Sequence, residues 1–156
     1  MLGVQIVDYR SDLAGAFKAM NEAWISRYFV IEPKDREVLD DPEGKILAGG
    51  GQVLFAFEGD RPVGCVALVK LPDGGFEVAK MAVIDSEKGK GYGRALMAAC
   101  VERARAAGAP RLYLETNSAL APAGALYRSF GFTELPGKTR TDSDYARVDT
   151  WMELKL

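Results

Sequence analysis

Hydrophobic and polar positions alternate along several short stretches of this chain, and other stretches repeat at helical spacing. Strict alternation is typical of strands, whereas apolar residues three or four positions apart are typical of amphipathic helices. The alternation predicts strands at residues 4–9, 52–58, 63–71, 76–83, 111–116, 132–135 and 147–156. The helical spacing predicts helices at residues 11–29, 33–39, 91–107 and 121–130.

The turns between these elements predict how the strands pair. Gly59-Asp60-Arg61-Pro62 and Asp73-Gly74-Gly75 are tight-turn sequences, so the three strands around them form an antiparallel meander. The strands on either side of helix 91–107 form a β-α-β unit and therefore lie parallel. The predicted fold class is α/β, with a central, mostly antiparallel mixed sheet, one parallel strand pair and helices on both faces. Ser11 is predicted to cap the first helix.

Size and charge limit the classes of protein that the chain can belong to. Its 156 residues suit one domain over residues 1–156. The formal net charge of −2 provides no basic field for nucleic acid, and no apolar run approaches the length of a membrane span. The amino terminus lacks the charged start and apolar stretch of a signal peptide, so we expect a cytoplasmic protein. Exposed sheet edges make a homodimer an open expectation.

Histidine is absent from the sequence, which excludes imidazole-based nucleophilic triads and imidazole metal ligands. Acid–base chemistry must then use carboxylates, tyrosine, lysine or water, and we expect no metal. Cys65 and Cys100 lie in apolar segments and are predicted to be buried thiols rather than a disulfide.

The glycine-rich stretch Lys88-Gly89-Lys90-Gly91-Tyr92-Gly93-Arg94 is the most informative part of the sequence, because it leads from a strand into a helix. Glycines allow positive φ and close approach of a ligand, and a helix start presents unpaired amides to an anion. The spacing does not fit a dinucleotide fingerprint, because Arg94 stands where the third glycine would be. It does not fit a P-loop either, since no Lys-Ser or Lys-Thr follows. A pyrophosphate site and a solvated turn remain as interpretations.

Four segments that follow one another in the chain favour the pyrophosphate site over the solvated turn. The loop, the preceding Glu77–Val83, the later Leu112–Asn117, and Ala123–Phe132 (A-x-x-L-Y-x-x-x-G-F) resemble the GCN5-related N-acetyltransferase superfamily over roughly residues 52–135. Lys88 departs mildly from that pattern, which usually has Arg or Gln there. The resemblance implies acetyl-CoA as co-substrate and a small-molecule or peptide amine as acceptor. The cofactor-binding residues that it implies are Met81, Ala82, Val83, Lys88, Gly89, Lys90, Gly91, Tyr92, Gly93, Arg94 and Asn117.

The resemblance also assigns chemistry to two side chains. Glu77 matches a residue that acts as base in some members, although a structural ion pair or a substrate anchor remains an alternative. Glu32 and Asp35 are further candidates for the base, or acidic residues that favour a helix start. Tyr127 matches the general acid that protonates the departing thiolate, or is a core aromatic. Asn117 either bonds the cofactor arm or caps the next helix.

The acceptor side is less defined by sequence. Tyr28, Glu32 and Tyr145 are predicted to contact the acceptor, with Arg147 beside Tyr145 at the pocket edge. Trp24, Tyr28 and Phe29 also have the spacing of core residues. The predicted function is transfer of an acetyl group to a primary amine by direct attack on the thioester. A CoA-binding sensor with little turnover is the alternative, and transfer of a longer acyl group is also open.

Overall fold

The computed structural model describes residues 4–156. The strands are β1 Val4–Asp8, β2 Gln52–Glu58, β3 Arg61–Lys70, β4 Phe76–Val83, β5 Arg111–Thr116, β6 Thr133–Glu134 and β7 Thr150–Lys155. The α-helices are α1 Ala14–Tyr28, α2 Pro33–Asp40, α3 Tyr92–Ala106 and α4 Ala121–Ser129. Short helical turns lie at Ser11–Leu13, Glu43–Leu47, Asp85–Glu87 and Arg140–Asp142.

The seven strands form one mixed sheet in the order β1-β2-β3-β4-β5-β7-β6. Only β4 and β5 pair in parallel among residues 4–156, and the other neighbours are antiparallel. This confirms the predicted fold class. The meander of β2, β3 and β4 follows from the two tight turns, and the parallel pair follows from the crossover through α3.

Both faces of the sheet are covered, which explains the unbroken apolar run in β2. Five consecutive residues of that strand are buried. Leu54 and Ala56 pack on the face that carries α3, whereas Val53, Phe55 and Phe57 pack on the face that carries α1 and α2. Alternate side chains of a strand point to opposite faces, so a strand covered on both faces needs apolar residues throughout.

Several boundaries differ from the predictions. Ser11 does not cap α1, because the chain enters that helix through the turn Ser11–Leu13, and no side chain caps either start. β7 begins at Thr150 instead of residue 147, and β6 is limited to two residues. Cys65 and Cys100 are both free and buried, as predicted. No helix within residues 4–156 has the length and apolar character that a membrane span needs.

Candidate active site

A cavity of about 710 Å³ opens where β4 and β5 separate. The two strands pair only at Phe76 with Leu112 and at Glu77 with Tyr113, although β4 continues to Val83. From Val78 to Val83 the β5-facing edge of β4 therefore has no strand partner. Met81, Ala82 and Val83, predicted from sequence to offer backbone contacts, lie along this edge and line the cavity.

A β-bulge lies in the part of β4 that has left β5. Ala79 pairs with Ala67 and Ala82 with Cys65, so two residues of β4 stand opposite one of β3. Lys80, which lies in the bulge, has a φ of 56°. Within residues 4–156 it is the only residue other than glycine with a positive φ. A bulge bends and twists the strand that carries it, so this one helps to turn β4 away from β5.

The glycine loop forms one end of the cavity. Gly89 and Gly91 have φ of 80° and 86°, and no atom lies within 4 Å of the position that a Cβ would take at either residue. Within residues 4–156, the amides of residues 89–94 have no hydrogen-bond acceptor. The first backbone hydrogen bond at the start of α3 is donated by the Ala95 amide to the Gly91 carbonyl. Free amides at the positive end of a helix dipole suit an anion. This part of the chain therefore fits a pyrophosphate.

The charged side chains of the loop are bonded elsewhere. The Lys88 ammonium lies 2.8 Å from the Tyr28 hydroxyl and 3.0 Å from Asp85. Lys90 pairs with Glu87 at 3.0 Å, and Arg94 donates to the Ser129 hydroxyl at 3.0 Å. Tyr92 also lines the cavity, and its hydroxyl donates to Glu58. The free amides are therefore the groups of this loop that are available to an anion, and Lys88 is the one of these three charged residues that lines the cavity.

Glu77 lies on the cavity wall at the last β4–β5 pair. It makes no ion pair or hydrogen bond through its side chain in residues 4–156, so the structural ion pair considered from sequence finds no support. Burial, followed by the neighbouring Glu115 carboxylate, raises the pKa of Glu77 to about 7. Glu115 is held in place by the hydroxyls of Tyr113 and Ser143, each at 2.7 Å. A carboxylate with a pKa near neutrality is suited to act as a general base.

Tyr127 enters the cavity from α4. Burial raises the pKa of its hydroxyl, and the nearby Thr116 side chain partly offsets that shift. Its ring also packs against Phe132, with the centroids 6.1 Å apart. The side chain is therefore part of the core and part of the cavity wall, so the two interpretations made from sequence are compatible.

A family model, described as the acetyltransferase (GNAT) family, matches residues 17–132. The chain belongs to this family. Over 87 residues it is 38% identical to YsnE, an uncharacterized N-acetyltransferase of Bacillus subtilis (strain 168), covering 53% of this chain and 58% of that protein. Over 82 residues it is 41% identical to an IAA acetyltransferase of Azospirillum brasilense, covering 52% and 54%. The chain thus matches little more than half the length of these curated relatives.

Solved structures share the GNAT fold over nearly the whole chain. An acetyltransferase of Staphylococcus aureus Mu50 superposes with a TM-score of 0.85, covering 97% of this chain and 98% of that one at 18% identity. The Salmonella typhimurium protein yncA, solved with acetyl-CoA as its cofactor, has a TM-score of 0.77 and covers 98% and 94% at 21% identity. In residues 4–156 of this GNAT family member, no group of three or more potential ligand residues is arranged to hold a metal.

The remaining predicted residues of this GNAT protein divide into two groups. Tyr28 lies at the cavity edge, 43% exposed, and Tyr145 and Arg147 also line the cavity. Glu32 does not line it: its carboxylate caps α2 and bonds the amide of Ala146 at 3.1 Å. Asn117 lines the cavity while its amide group donates to the Arg147 carbonyl at 2.7 Å.

Asp35 is fully buried and carries the ion cluster that sequence reasoning missed. Its carboxylate accepts from Lys80 at 2.5 Å and from the two terminal nitrogens of Arg147 at 2.9 and 2.6 Å. Burial raises the pKa of Asp35, but the bonds from Arg147 and Lys80 outweigh that effect and leave the pKa below its usual range. A carboxylate held by two cations is a poor base, which favours Glu77 for that role. Lys80 carried no sequence signal beyond being a charged residue in an apolar strand.

The raised pKa of Glu77 predicts a pH-dependent stability. The folded protein holds a proton on Glu77 up to about pH 7, whereas the unfolded chain releases it near its usual 4.5. Its contribution to stability is therefore present below pH 4.5 and is lost as pH rises through 7, by roughly 3 kcal/mol in total. Denaturant unfolding at pH 5 and pH 8 should show Glu77→Gln gaining stability relative to wild type at the higher pH.

Glu102→Gln, on the exposed face of α3, is the control for this measurement. Its stability relative to wild type should change little between pH 5 and pH 8. If the difference in stability between Glu77→Gln and wild type were the same at pH 5 and pH 8, as is expected for Glu102→Gln, the pKa of Glu77 would not be raised.

Proposed function

We propose that residues 1–156 form one acetyltransferase domain that uses acetyl-CoA to acetylate a primary amine. The observation that supports it most is the opening between β4 and β5, which has free amides at one end and Glu77 and Tyr127 on its walls. The amides of residues 89–94 would hold the pyrophosphate. The unpaired edge at Met81–Val83 would bond the pantetheine arm. When bound, acetyl-CoA supplies an acetyl group activated as a thioester.

The side chains would then manage two protons. For a lysine-like amine with a pKa of ~10.4, deprotonation at pH 7 costs a free energy of about 4–5 kcal/mol. A group that removes this proton therefore contributes substantially to the reaction. Glu77, with a pKa of about 7, takes that proton directly or through a water molecule. The hydroxyl of Tyr127 has an ordinary pKa of 10.0, which burial raises further, so it is protonated at neutral pH and can donate its proton to the departing sulfur.

The function is tested by incubating the protein with acetyl-CoA and a broad panel of amines while free thiol is titrated. We expect thiol release that depends on the acceptor, and an acetylated product by mass spectrometry. Binding of CoA without acceptor-dependent release would instead support a sensor with little turnover. Absence of CoA binding at millimolar concentration would contradict both functions.

Tyr127→Phe is expected to lower kcat by about 10²-fold, at the lower end of general-acid effects, because a thiol with pKa ~8.5 is already a fair leaving group. The affinity for CoA should stay the same, since the ring and its packing on Phe132 remain. Stopped-flow thiol release and calorimetry measure the two quantities separately. Tyr9→Phe removes a hydroxyl that bonds Glu43 away from the cavity, and should leave the rate unchanged. An unchanged rate in Tyr127→Phe would remove the acid role.

A further inference from the structure

The wall of the cavity beside Glu77 carries two cations whose anionic partners lie behind them. Lys80 and Arg147 line the cavity, whereas Asp35, which holds both, is fully buried and does not line it. Glu32, which approaches Arg147 at 3.4 Å, does not line it either. The four charges sum to zero, yet of these four residues the two cationic ones line the cavity.

Both cations keep hydrogen-bond donors in reserve. An ammonium has three N–H groups. Lys80 uses two of them in the structure, on Asp35 at 2.5 Å and on the Tyr145 hydroxyl at 3.1 Å. A guanidinium has five N–H groups, and Arg147 makes three bonds, to Asp35 and Glu32. Within residues 4–156, one donor of Lys80 and two of Arg147 therefore have no protein acceptor.

The positions of these cations are fixed before any ligand binds. Lys80 lies in the β4 bulge at a positive φ, which costs about 1–3 kcal/mol for a residue other than glycine. Its side chain is only 7% exposed. Both cations contact the Tyr145 ring, whose centroid lies 4.4 Å from the Lys80 ammonium and 4.5 Å from the Arg147 guanidinium. Residues held in such backbone conformations cluster at active sites and ligand-binding sites.

The same cavity also has an acidic side. Glu77 and Glu115 line it, and Lys80 lies close enough to Glu77 to affect its ionisation. A ligand in this cavity is surrounded both by carboxylate residues and by the two cationic residues. That arrangement complements a molecule with an amine at one end and an anion at the other.

We propose that the acceptor is an amino acid with a free carboxylate, which binds the reserve N–H groups of Lys80 and Arg147 while its amine faces Glu77. This rests on the proposed function, because it names the substrate class of the same site. A planar carboxylate suits the spare donors of a guanidinium. A lysine side chain within a peptide lacks such a carboxylate and would leave the donors unpaired.

The test compares amino acids with their own carboxamides. CoA-saturated protein is titrated by calorimetry with the common L-α-amino acids, with ω-amino acids of increasing length, and with the carboxamide of each. Initial rates with acetyl-CoA are measured on the same panel. We expect at least one acid to exceed its amide by tenfold or more in affinity and in kcat/KM, since a hydrogen bond to a charged group contributes a factor of about 10–100.

The outcomes separate this inference from the proposed function. If the amides or carboxyl-blocked peptides react as well as every acid, the amino-acid assignment is wrong while the acetyltransferase stands. If no amine releases thiol but an acid binds better than its amide, the carboxylate site stands and the enzymatic function fails. If no acid in the panel binds or reacts, the assignment is overturned.

Variants then locate the site. Lys80→Met should reduce the acid-to-amide ratio to within about threefold of unity, and the affinity for CoA reports whether the cavity is intact. Lys18→Met is the matched control, because Lys18 also pairs with an aspartate, Asp40 at 2.7 Å, but lies outside the cavity wall. It should keep the wild-type ratio.

Should Lys80→Met not fold, Arg147→Lys answers the same question. It retains the charge beside Asp35 but loses the planar fork, so the ratio should also fall. An unchanged acid-to-amide ratio in a folded Lys80→Met or Arg147→Lys protein would contradict the proposed carboxylate site.

Discussion

Glu77→Gln is expected to lower kcat by 10²–10⁴-fold with little change in the affinity for CoA. The amide cannot accept the amine proton, and positioned general bases contribute factors of this size. The substitution keeps the shape of the side chain in a site where Glu77 bonds no other group within residues 4–156. Thiol-release kinetics at saturating acceptor measure the rate, and calorimetry measures CoA binding.

The pH profile distinguishes a base from a residue that only shapes the cavity. Because the base must be ionised and the pKa of about 7 belongs to the protein without substrate, kcat/KM of the wild-type protein should rise with pH through about 7 and then level off. Glu77→Gln should lose this rise. Glu115→Gln removes the charge that contributes, after burial, to the raised pKa of Glu77, so its rise should move to lower pH. A rise near pH 7 that persists in Glu77→Gln would assign the titration to another group.

Local sequence was sufficient to predict the elements that carry the cofactor side of the site. Helix α3 starts after Gly91 and ends before Gly108 because both glycines adopt positive φ. Alternation and tight turns predicted β4 and its antiparallel neighbours, and the crossover predicted the parallel pair. These features depend on residues that lie close together in the chain, which is why a single sequence reveals them.

The acceptor side depends on contacts that the sequence does not reveal. Asp35 and Arg147 are 112 positions apart and meet only because α2 and the segment before β7 lie beside the same bulge. The positive φ of Lys80 follows from the register of β4 against β3, in which one residue must be accommodated without a partner. Neither the bulge nor the buried ion cluster has a local signature, so the sequence predicted Asp35 as an alternative base or a residue at a helix start, and not as the centre of an ion cluster.

The directions of the charged side chains in the glycine loop could not be predicted from the sequence either. The sequence predicted Arg94 and Lys90 beside a pyrophosphate because of their position in the motif. Arg94 instead lies over the Phe130 ring at 5.3 Å and bonds Ser129, and Lys90 reaches back to Glu87. Their role in holding a phosphate stays a prediction, and in this arrangement it would be exercised through their backbone amides.

Because the backbone amides at the start of α3 are proposed to hold the pyrophosphate, a negative charge placed beside them should have a large effect on CoA binding. Gly91→Asp should weaken CoA binding by about 10²–10⁴-fold, because loss of two hydrogen bonds to a charged group has an effect of this order. Gly91 is the residue before α3, with φ of 86° and open space where a side chain would project. Aspartate is among the residues that tolerate positive φ and that favour a helix start, so α3 should persist. Its carboxylate would, however, lie beside the free amides of residues 89–94, where the pyrophosphate is proposed to bind, and would repel it.

The matched control lies at the other end of the same helix. Gly108 has φ of 72°, with no atom within 4 Å of its Cβ position, so Gly108→Asp imposes a similar backbone demand and the same charge. It should leave the affinity for CoA unchanged. Gly91→Asn separates charge from volume, and should fall between wild type and Gly91→Asp. Calorimetry with CoA measures all three variants, and circular dichroism checks that each is folded. If Gly91→Asp and Gly108→Asp bound CoA equally well, the diphosphate would have to be held by groups other than the amides at the start of α3, and the proposed binding mode would be wrong.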